Sequence, residues 1–201
     1  TNAITEKKGL NLTKFQDAFY FIRSFLTHPI QTGSLLPSST YLTQLMMQDL
    51  PWEKLSVIVE LGAGTGAFTE YIARHKKESA IVLVIEKDRS LLAKLIRRYG
   101  HDSHFIFGED ANLLTNYLNQ AHLHGANCII CGLPFANFDD SQCYQLGAEI
   151  KNALTDRGIL RAFQYTLHMK HIFDQYLIKK DIQHTYKNLP PAFVYNYIAK
   201  H

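Results

Sequence analysis

The chain contains little cysteine, little net charge and no long apolar run, and each shortage excludes a class of protein. Three cysteines in 201 residues, an odd number, argue against a disulfide framework and indicate a reducing compartment, so we expect a cytoplasmic protein. No apolar run approaches the roughly 20 residues that cross a bilayer, and no secretory signal pattern opens the chain. We therefore expect a soluble protein or a peripheral one.

The net charge of +3 is too small to indicate nucleic acid binding by itself. Its distribution is uneven: residues 151–201 carry eight Lys and Arg against three Asp and Glu, whereas residues 1–150 carry thirteen against fifteen. The basic end could face phosphates or form an ordinary solvated surface, which is the commoner case for scattered charges. With 46% hydrophobic and 19% charged residues, the composition is globular and excludes disordered and fibrous architectures.

Two cysteines, Cys128 and Cys131, have the Cys-x-x-Cys spacing of many metal sites. A tetrahedral zinc site needs a second pair of ligands, and the sequence has no second Cys-x-x-Cys or His pair at matching spacing. Cys128 also lies inside the apolar run 126–131, which predicts a buried strand. We therefore expect both residues to be core thiols and predict no metal.

The stretch from Val57 to Phe68 joins an apolar strand, a glycine turn and the start of a helix. Glycines in such a turn let the backbone approach a ligand closely and let helix and strand pack tightly. Twenty residues after Gly66, Glu86 ends a second apolar run, where an acid is placed to bind a pair of ribose hydroxyls. This spacing predicts an adenosine-containing cofactor.

The glycine pattern, Glu-x-Gly-x-Gly-x-Gly, resembles motif I of the class I S-adenosylmethionine methyltransferases more closely than the Gly-x-Gly-x-x-Gly pyrophosphate fingerprint. A phosphate loop is excluded because Lys-Ser/Thr is absent after the last glycine. Residues 108–111 and 131–135 resemble the adenine-contacting and substrate-facing motifs of the same superfamily, in the right order. The alternative is an ordinary strand, turn and helix in which the acid caps the next helix, and the four motifs together argue against it.

The rest of the chain alternates between strand-like and helix-like segments, which predicts a Rossmann-like α/β fold with helices on both faces of a mostly parallel sheet. The last two strands, joined by a short turn, predict an antiparallel hairpin at one edge. The predicted strands are 57–61, 80–86, 104–108, 127–131, 158–166, 182–188 and 192–199. The predicted helices are 67–77, 88–99 capped by Asp88, 112–122, one capped by Asp139 or Asp140 that runs through Leu154, and 168–180.

Residues 1–50 are predicted to form a helical extension, followed by a single globular domain over residues 51–201. Within the extension, Phe15 to His28 has the pattern of an amphipathic, aromatic-rich helix. A proline-bounded loop follows, and a second helix is expected to begin at Ser38 or Ser39. The first helix could pack on its own domain, the commoner case, or lie in a membrane interface.

Several further segments resemble the bacterial phospholipid N-methyltransferases that methylate phosphatidylethanolamine. The likeness runs from about Phe15 to Tyr195, and the proline-serine loop at 29–39 and the Asn-Leu-Pro-Pro-Ala turn at 188–192 are its most discriminating parts. The resemblance implies S-adenosylmethionine as cofactor, S-adenosylhomocysteine as product and an aminophospholipid as substrate. It also implies peripheral contact with the inner face of the membrane through the amino-terminal helix.

The resemblance assigns roles to individual residues of the cofactor site. It places the methionine part of the cofactor on the glycine turn with its amino end on Glu60, the ribose on Glu86, and the adenine on Asp110 and Ala111. The full set of expected cofactor-binding residues is Glu60, Leu61, Gly62, Ala63, Gly64, Gly66, Glu86, Lys87, Asp110, Ala111 and Gly132.

The resemblance also assigns the acceptor site. Carbonyls around Gly132 and Leu133 would steer the acceptor amine, and Pro134 and Phe135 would form a wall. Tyr165 and His168 follow the fifth predicted strand and could lie near the pocket, although an aromatic there is more often core and the histidine more often a helix cap. The expected catalytic residues are Gly132, Leu133, Pro134, Phe135 and Tyr165.

The relatives to separate from this family are the rRNA adenine dimethyltransferases, whose core motifs look similar. Those enzymes carry an asparagine whose amide accepts a hydrogen bond from a flipped base, and Gly132 stands at that place here. RNA is therefore the second choice of substrate, beside a small amine metabolite. A binding module that retains the fold without catalysis is the alternative from another class.

Overall fold

The computed structural model describes residues 37–186 and 191–200, so the predicted helix from Phe15 to His28 and the loop after it lie outside the described residues. The described part contains one seven-stranded sheet. Its strands are β1 (Val57–Leu61), β2 (Ile81–Ile85), β3 (Phe105–Gly108), β4 (Ala126–Cys131), β5 (Leu154–Gln164), β6 (Leu177–Thr185) and β7 (Ala192–Ala199).

Six α-helices surround the sheet within the same residues: α1 (Pro37–Met47), α2 (Ala67–His75), α3 (Arg89–Tyr99), α4 (Leu114–Gln120), α5 (Asp140–Ala153) and α6 (Lys170–Tyr176). Short 3-10 turns lie at Trp52–Lys54, Ala111–Leu113 and Phe135–Asn137. In these described ranges, none of the helices has the length and apolar character that crossing a membrane requires.

The strand order is β3-β2-β1-β4-β5-β7-β6, parallel except at β7, which runs antiparallel to both of its neighbours. The direction in which successive strands are added reverses between β1 and β4, and in sheets of this kind ligands bind in the crevice beyond the carboxyl ends of the strands at that reversal. Leu61 of β1 pairs with Ile85 of β2 and with Cys131 of β4. The residues that follow these three strands therefore meet at one edge of the sheet.

Alternate residues of the strands enter two cores, one on each face of the sheet, because successive side chains of a strand point to opposite faces. One core joins the sheet to α4, α5 and α6, and the other joins it to α1, α2 and α3. The fold class predicted from the sequence is confirmed, including the helices on both faces and the antiparallel edge pair.

Helix α1 belongs to the second core. Its Leu42 and Met46 are buried together with Ile58 and Val82 of the sheet. The predicted domain boundary at residue 50 stays a prediction. The helix already includes Pro37, so the expectation that Ser38 or Ser39 starts it is wrong.

Near the carboxyl end, the predicted helix over 168–180 is wrong in its last four residues. Helix α6 ends at Tyr176, and Leu177 already begins β6 by pairing with Ala199. Two features made this strand hard to predict. It lies at the edge of the sheet, where Lys179 and Lys180 are exposed, and a register shift between Lys179 and Asp181 interrupts the alternation of inward and outward side chains.

Two other predicted boundaries also differ from the structure. Strand β5 begins at Leu154, which pairs with Ala126, instead of at Gly158, because the chain re-enters the sheet directly after α5. A 3-10 turn precedes α4 where a continuous helix over 112–122 was predicted. Asp88 does cap α3, accepting hydrogen bonds from the backbone N–H groups of Ser90 and Leu91.

A capping box between Asp139 and Gln142 fixes the start of α5. Its Oδ1 accepts the Gln142 backbone N–H at 2.8 Å, and Gln142 Oε1 accepts the Asp139 N–H at 3.1 Å. Because Asp139→Ala removes this capping box, we expect it to lower the free energy of unfolding in urea by about 1 kcal/mol. Asp139→Asn retains a capping oxygen and should lose much less. Equal losses in the two variants would contradict the assignment.

Candidate active site

A turn of three glycines follows β1 in the left-handed region, with φ of +75° at Gly62, +57° at Gly64 and +88° at Gly66. L-residues rarely adopt this conformation, so the sequence Gly-x-Gly-x-Gly is what permits the turn. The Gly62 N–H donates to the Ile85 carbonyl at 2.8 Å, and Gly66 is the N-cap of α2. The turn is thereby fixed between the end of β2 and the start of a helix.

Space lies open above the middle of this turn. A Cβ added to Gly64 would meet no atom of the described residues within 4 Å, whereas one added to Gly66 would lie 2.6 Å from Leu95 Cδ2. The Gly64 N–H donates to Glu86 Oε2 at 2.7 Å, and the Asp88 N–H donates to Glu86 Oε1 at 2.8 Å. Glu86 therefore ties the turn to the start of α3, and its carboxylate keeps further lone pairs for hydroxyl donors.

Glu60 lies beneath the same turn and is fully buried. The Thr69 hydroxyl donates to its Oε2 at 2.6 Å, and among the described residues no donor reaches Oε1. Burial raises the pKa of Glu60 from its ordinary 4.5 to about 7; the hydrogen bonds from Thr69 oppose the rise, and the charge of Glu86 adds to it. The structure thus holds a buried carboxyl oxygen that lacks a hydrogen-bond partner among the described residues.

The expected adenine end lies after β3. Asp110 is exposed, and its Oδ1 accepts the backbone N–H and the side-chain amide of Asn112, each at 2.9 Å. The Tyr117 hydroxyl accepts the backbone N–H of Glu109 at 3.2 Å, and its ring covers Gly108, where a Cβ would lie 2.7 Å away. Tyr117 therefore packs against the segment that follows β3 and holds its backbone through a hydrogen bond.

The remaining expected cofactor residues take different positions. The side chains of Leu61 and Ala63 are buried, so they can face a ligand only through the backbone. Lys87 is exposed, and Ala111 is half-buried at the start of the 3-10 turn. The structure brings the segments after β1, β2 and β3 to one edge, as the sequence predicted.

The segment after β4 lies directly against the glycine turn. The Gly132 N–H donates to the Leu61 carbonyl at 2.8 Å, and a Cβ on Gly132 would lie 3.1 Å from the Gly62 oxygen. The reverse contact is equally tight, since a Cβ on Gly62 would lie 3.2 Å from Leu133 Cδ2. Neither glycine has room for an ordinary side chain without displacing its neighbour.

The expected acceptor residues after Gly132 separate into two groups. Gly132, Leu133 and Pro134 are half-buried, and the Leu133 carbonyl accepts Gln164 Nε2 at 2.9 Å. Phe135 is fully buried, with its ring centroid 5.8 Å from that of Phe173. This ring supports the loop from the core and does not line its surface, which corrects the expected wall.

The two residues after β5 that were expected near the pocket differ in their exposure. Tyr165 is half-buried, and desolvation raises the pKa of its hydroxyl to about 12. His168 is exposed, with its Nε2 3.5 Å from Asp140 Oδ1 at the start of α5. No group of three or more potential metal ligands gathers anywhere in the described ranges.

Comparison with known proteins identifies the family. No protein-family model matches the chain. The ornithine lipid N-methyltransferase of Singulisphaera acidiphila is 31% identical over 185 residues, which cover 90% of this chain and 95% of the relative. The chain belongs to the family of this N-methyltransferase.

Solved structures agree on the fold. The N-methyltransferase NodS from Bradyrhizobium japonicum WM9, in complex with S-adenosylhomocysteine, matches with a TM-score of 0.72 over 93% of this chain and 98% of its own, at 14% identity. The fibrillarin pre-rRNA processing protein of Methanococcus jannaschii matches at 0.59 over 75% of this chain and 69% of its own, at 18% identity. The protein is a class I methyltransferase, and its cofactor is S-adenosylmethionine.

The residues at the glycine turn fit this cofactor. The buried Oε1 of Glu60 lacks a donor among the described residues and is suited to an ammonium group, and Gly64 leaves space above the backbone. When bound, S-adenosylmethionine supplies a methyl carbon on a sulfonium, which a nitrogen lone pair can displace in line. The task of this methyltransferase is therefore to hold and orient the two reactants. The individual roles of Glu60, Glu86, Asp110 and Ala111 stay predictions.

Two residues of this site were not found from the sequence. Thr69 donates its hydroxyl to Glu60. The signal available in the sequence was a threonine in the first turn of α2, on the helix face that turns toward the acid. Gln164, at the end of β5, holds the Leu133 carbonyl, and nothing in the sequence indicated that contact. Both contacts join different elements of the fold, so they form only when the sheet and helices come together.

The buried Glu60 predicts a pH dependence of stability. Its folded pKa of about 7 lies above the unfolded value, so the unfolded chain releases the proton first and the free energy of unfolding falls as pH rises from about 4.5 to 7. We expect this fall to reach about 3 kcal/mol relative to Glu60→Gln, which does not ionise. Urea unfolding at pH 4 to 8 measures it. Exposed Glu78→Gln is the control, and a constant difference between wild type and Glu60→Gln would contradict the prediction.

The open space at Gly64 predicts that a substitution there mainly lowers the affinity for the cofactor, whereas one at Gly66 mainly lowers stability. Gly64→Ala puts a methyl group where no protein atom lies, so it should weaken cofactor affinity through overpacking by about 1–3 kcal/mol, roughly fivefold to more than a hundredfold in Kd. Titration calorimetry with S-adenosylhomocysteine measures this loss. Gly66→Ala, which meets Leu95, should instead reduce thermal stability more than Gly64→Ala does. Unchanged affinity in Gly64→Ala would show that the space is not the cofactor site.

Proposed function

We propose that this N-methyltransferase transfers the methyl group to a primary amine on the headgroup of a membrane lipid. Phosphatidylethanolamine is the acceptor implied by the resemblance over residues 15–195. Ornithine lipid is the second candidate, because the relative that is 31% identical bears that name. The two lipids share one reacting group, a primary aliphatic amine near a membrane surface.

The observation that carries the proposal is the match of a lipid N-methyltransferase over 90% of this chain, including both segments of the site. The geometry supports an aliphatic amine as acceptor. At position 132, the backbone of the acceptor loop contacts the glycine turn without any side-chain amide between them. An exocyclic amine of a base would find no side-chain acceptor there, whereas a flexible amine can reach backbone carbonyls.

The acceptor must lose a proton before it reacts, because an ammonium has no lone pair. Moving that group from water into the crevice disfavours its charged form and lowers its pKa. With the cofactor held at the glycine turn, its sulfonium would supply the methyl carbon for a new C–N bond, and the proton released by the ammonium would pass to water. The protein contributes the crevice and the carbonyls that orient the nitrogen.

Contact with the membrane is the remaining element of the proposal. We infer that the amphipathic pattern from Phe15 to His28 brings the protein to the inner leaflet, where its phenylalanines and cations would favour the interface. These residues lie outside the described ranges, so the sequence alone supports the contact. Flotation with vesicles measures it directly.

The function is tested with radiolabelled S-adenosylmethionine and three acceptor preparations. Vesicles of phosphatidylcholine doped with phosphatidylethanolamine or with ornithine lipid are the two candidate arms, and pure phosphatidylcholine vesicles give the background. We expect labelled mono-methylated lipid in at least one candidate arm. The arm with the higher kcat/KM identifies the headgroup.

The controls separate this function from its alternatives. Gly64→Ala should lose labelling in proportion to its lost cofactor affinity. Labelling of small RNA or of a free amine, with both lipid arms silent, would overturn the lipid assignment. Binding of S-adenosylhomocysteine without labelling of any acceptor would instead support a non-catalytic module.

A further inference from the structure

Phe163 lies directly beside the junction of the cofactor turn and the acceptor loop. Ala162 of β5 pairs with Cys131 of β4, so the next residue of each strand, Phe163 and Gly132, come together at the carboxyl edge of the sheet. The ring atom Cε1 of Phe163 lies 3.4 Å from the position that a Cβ on Gly132 would take. The glycine therefore leaves this ring next to the place where the acceptor amine must react.

Phe163 is the centre of a cluster of three rings. Its ring makes edge-to-face contacts with Phe68, from the first turn of α2, and with Tyr165, each at a centroid distance of 5.9 Å and an angle of 82°. All three residues are half-buried, so the cluster is not sealed into the core. Phe135, on the other face of the same edge, is fully buried. We call Phe68, Phe163 and Tyr165 the aromatic wall.

Aromatic rings attract cations through the negative potential of their faces. A primary ammonium has three N–H donors for backbone carbonyls, and each added methyl group removes one of them. The attraction between a ring and the cation needs no N–H and persists through every stage of methylation. A wall of rings therefore suits a site that must hold an amine both before and after it is methylated.

We propose that the aromatic wall binds the ammonium group of the acceptor and of its methylated products through cation–π contacts. This inference rests on the proposed function for the identity of the acceptor. In this proposal, Phe68, Phe163 and Tyr165 determine the specificity for a cationic headgroup. The neighbouring Gln164 holds the loop after β4, because its Nε2 donates to the Leu133 carbonyl at 2.9 Å.

The test uses two probes of the same shape and different charge. Choline carries a permanent trimethylammonium group, and 3,3-dimethylbutan-1-ol is its neutral analogue. Both are titrated by NMR into the full chain saturated with S-adenosylhomocysteine. We expect wild type to bind choline more tightly than the neutral analogue, because only the cation is attracted to the rings.

The deciding variant is Phe163→Leu, which keeps an apolar side chain and removes the ring. We expect its Kd for choline to rise by about threefold to thirtyfold, with little change for the neutral analogue. Phe163→Tyr should restore choline binding. Phe105→Leu is the matched control, since it makes the same change on the same face of the sheet, where the ring stacks on Tyr99, and it should leave both probes unaffected.

The outcomes are distinguishable from those of the lipid assay. An equal loss of both probes in Phe163→Leu, or no loss of choline binding, would overturn the aromatic wall. Selective loss of choline binding together with silent lipid arms would support the wall and overturn the lipid acceptor. Labelled lipid together with choline binding that is unchanged in Phe163→Leu would support the lipid acceptor and overturn the aromatic wall.

Discussion

The close approach of two backbone segments is the constraint on which the rest of this structure depends. The glycine turn after β1 and the loop after β4 meet so tightly that a Cβ on either Gly62 or Gly132 would lie within 3.3 Å of the other segment. The contact exists because β1 and β4 are neighbours at the point where the strand order reverses. Because both positions are glycines, the backbone itself forms the surface at this junction, where a ligand could approach it closely.

The second constraint is electrostatic. Glu60 is a carboxyl without exposure to solvent, supported by one hydroxyl from Thr69. Such a group costs folding free energy whenever it is ionised, and a cation that reaches its free oxygen would offset that cost. A ligand that brought a cation to this oxygen would therefore raise the stability of the fold.

The sequence predicted the parts of this protein that depend on local pattern. The glycine turn, the cap at Asp88 and the edge hairpin are each specified by a few neighbouring residues, and all were confirmed. The sequence failed where tertiary pairing decides. Strand β6 begins at Leu177 because β7 offers a partner, and the Phe163 ring lies beside Gly132 because Ala162 of β5 pairs with Cys131 of β4. The local elements around the glycine turn were therefore predictable, whereas the contacts between the loop after β4 and strand β5 were not.

Strand β6 has one further consequence, which concerns association between molecules. As the last strand of the sheet in residues 37–186 and 191–200, it presents backbone donors and acceptors along an edge that no other described strand pairs with, a template on which another chain could add a strand. Lys179 and Lys180 stand exposed on this edge, beside the register shift that distorts it. Two like charges and a local irregularity make a second copy a poor fit, so the same residues that obscured the strand in the sequence also disfavour edge-to-edge pairing.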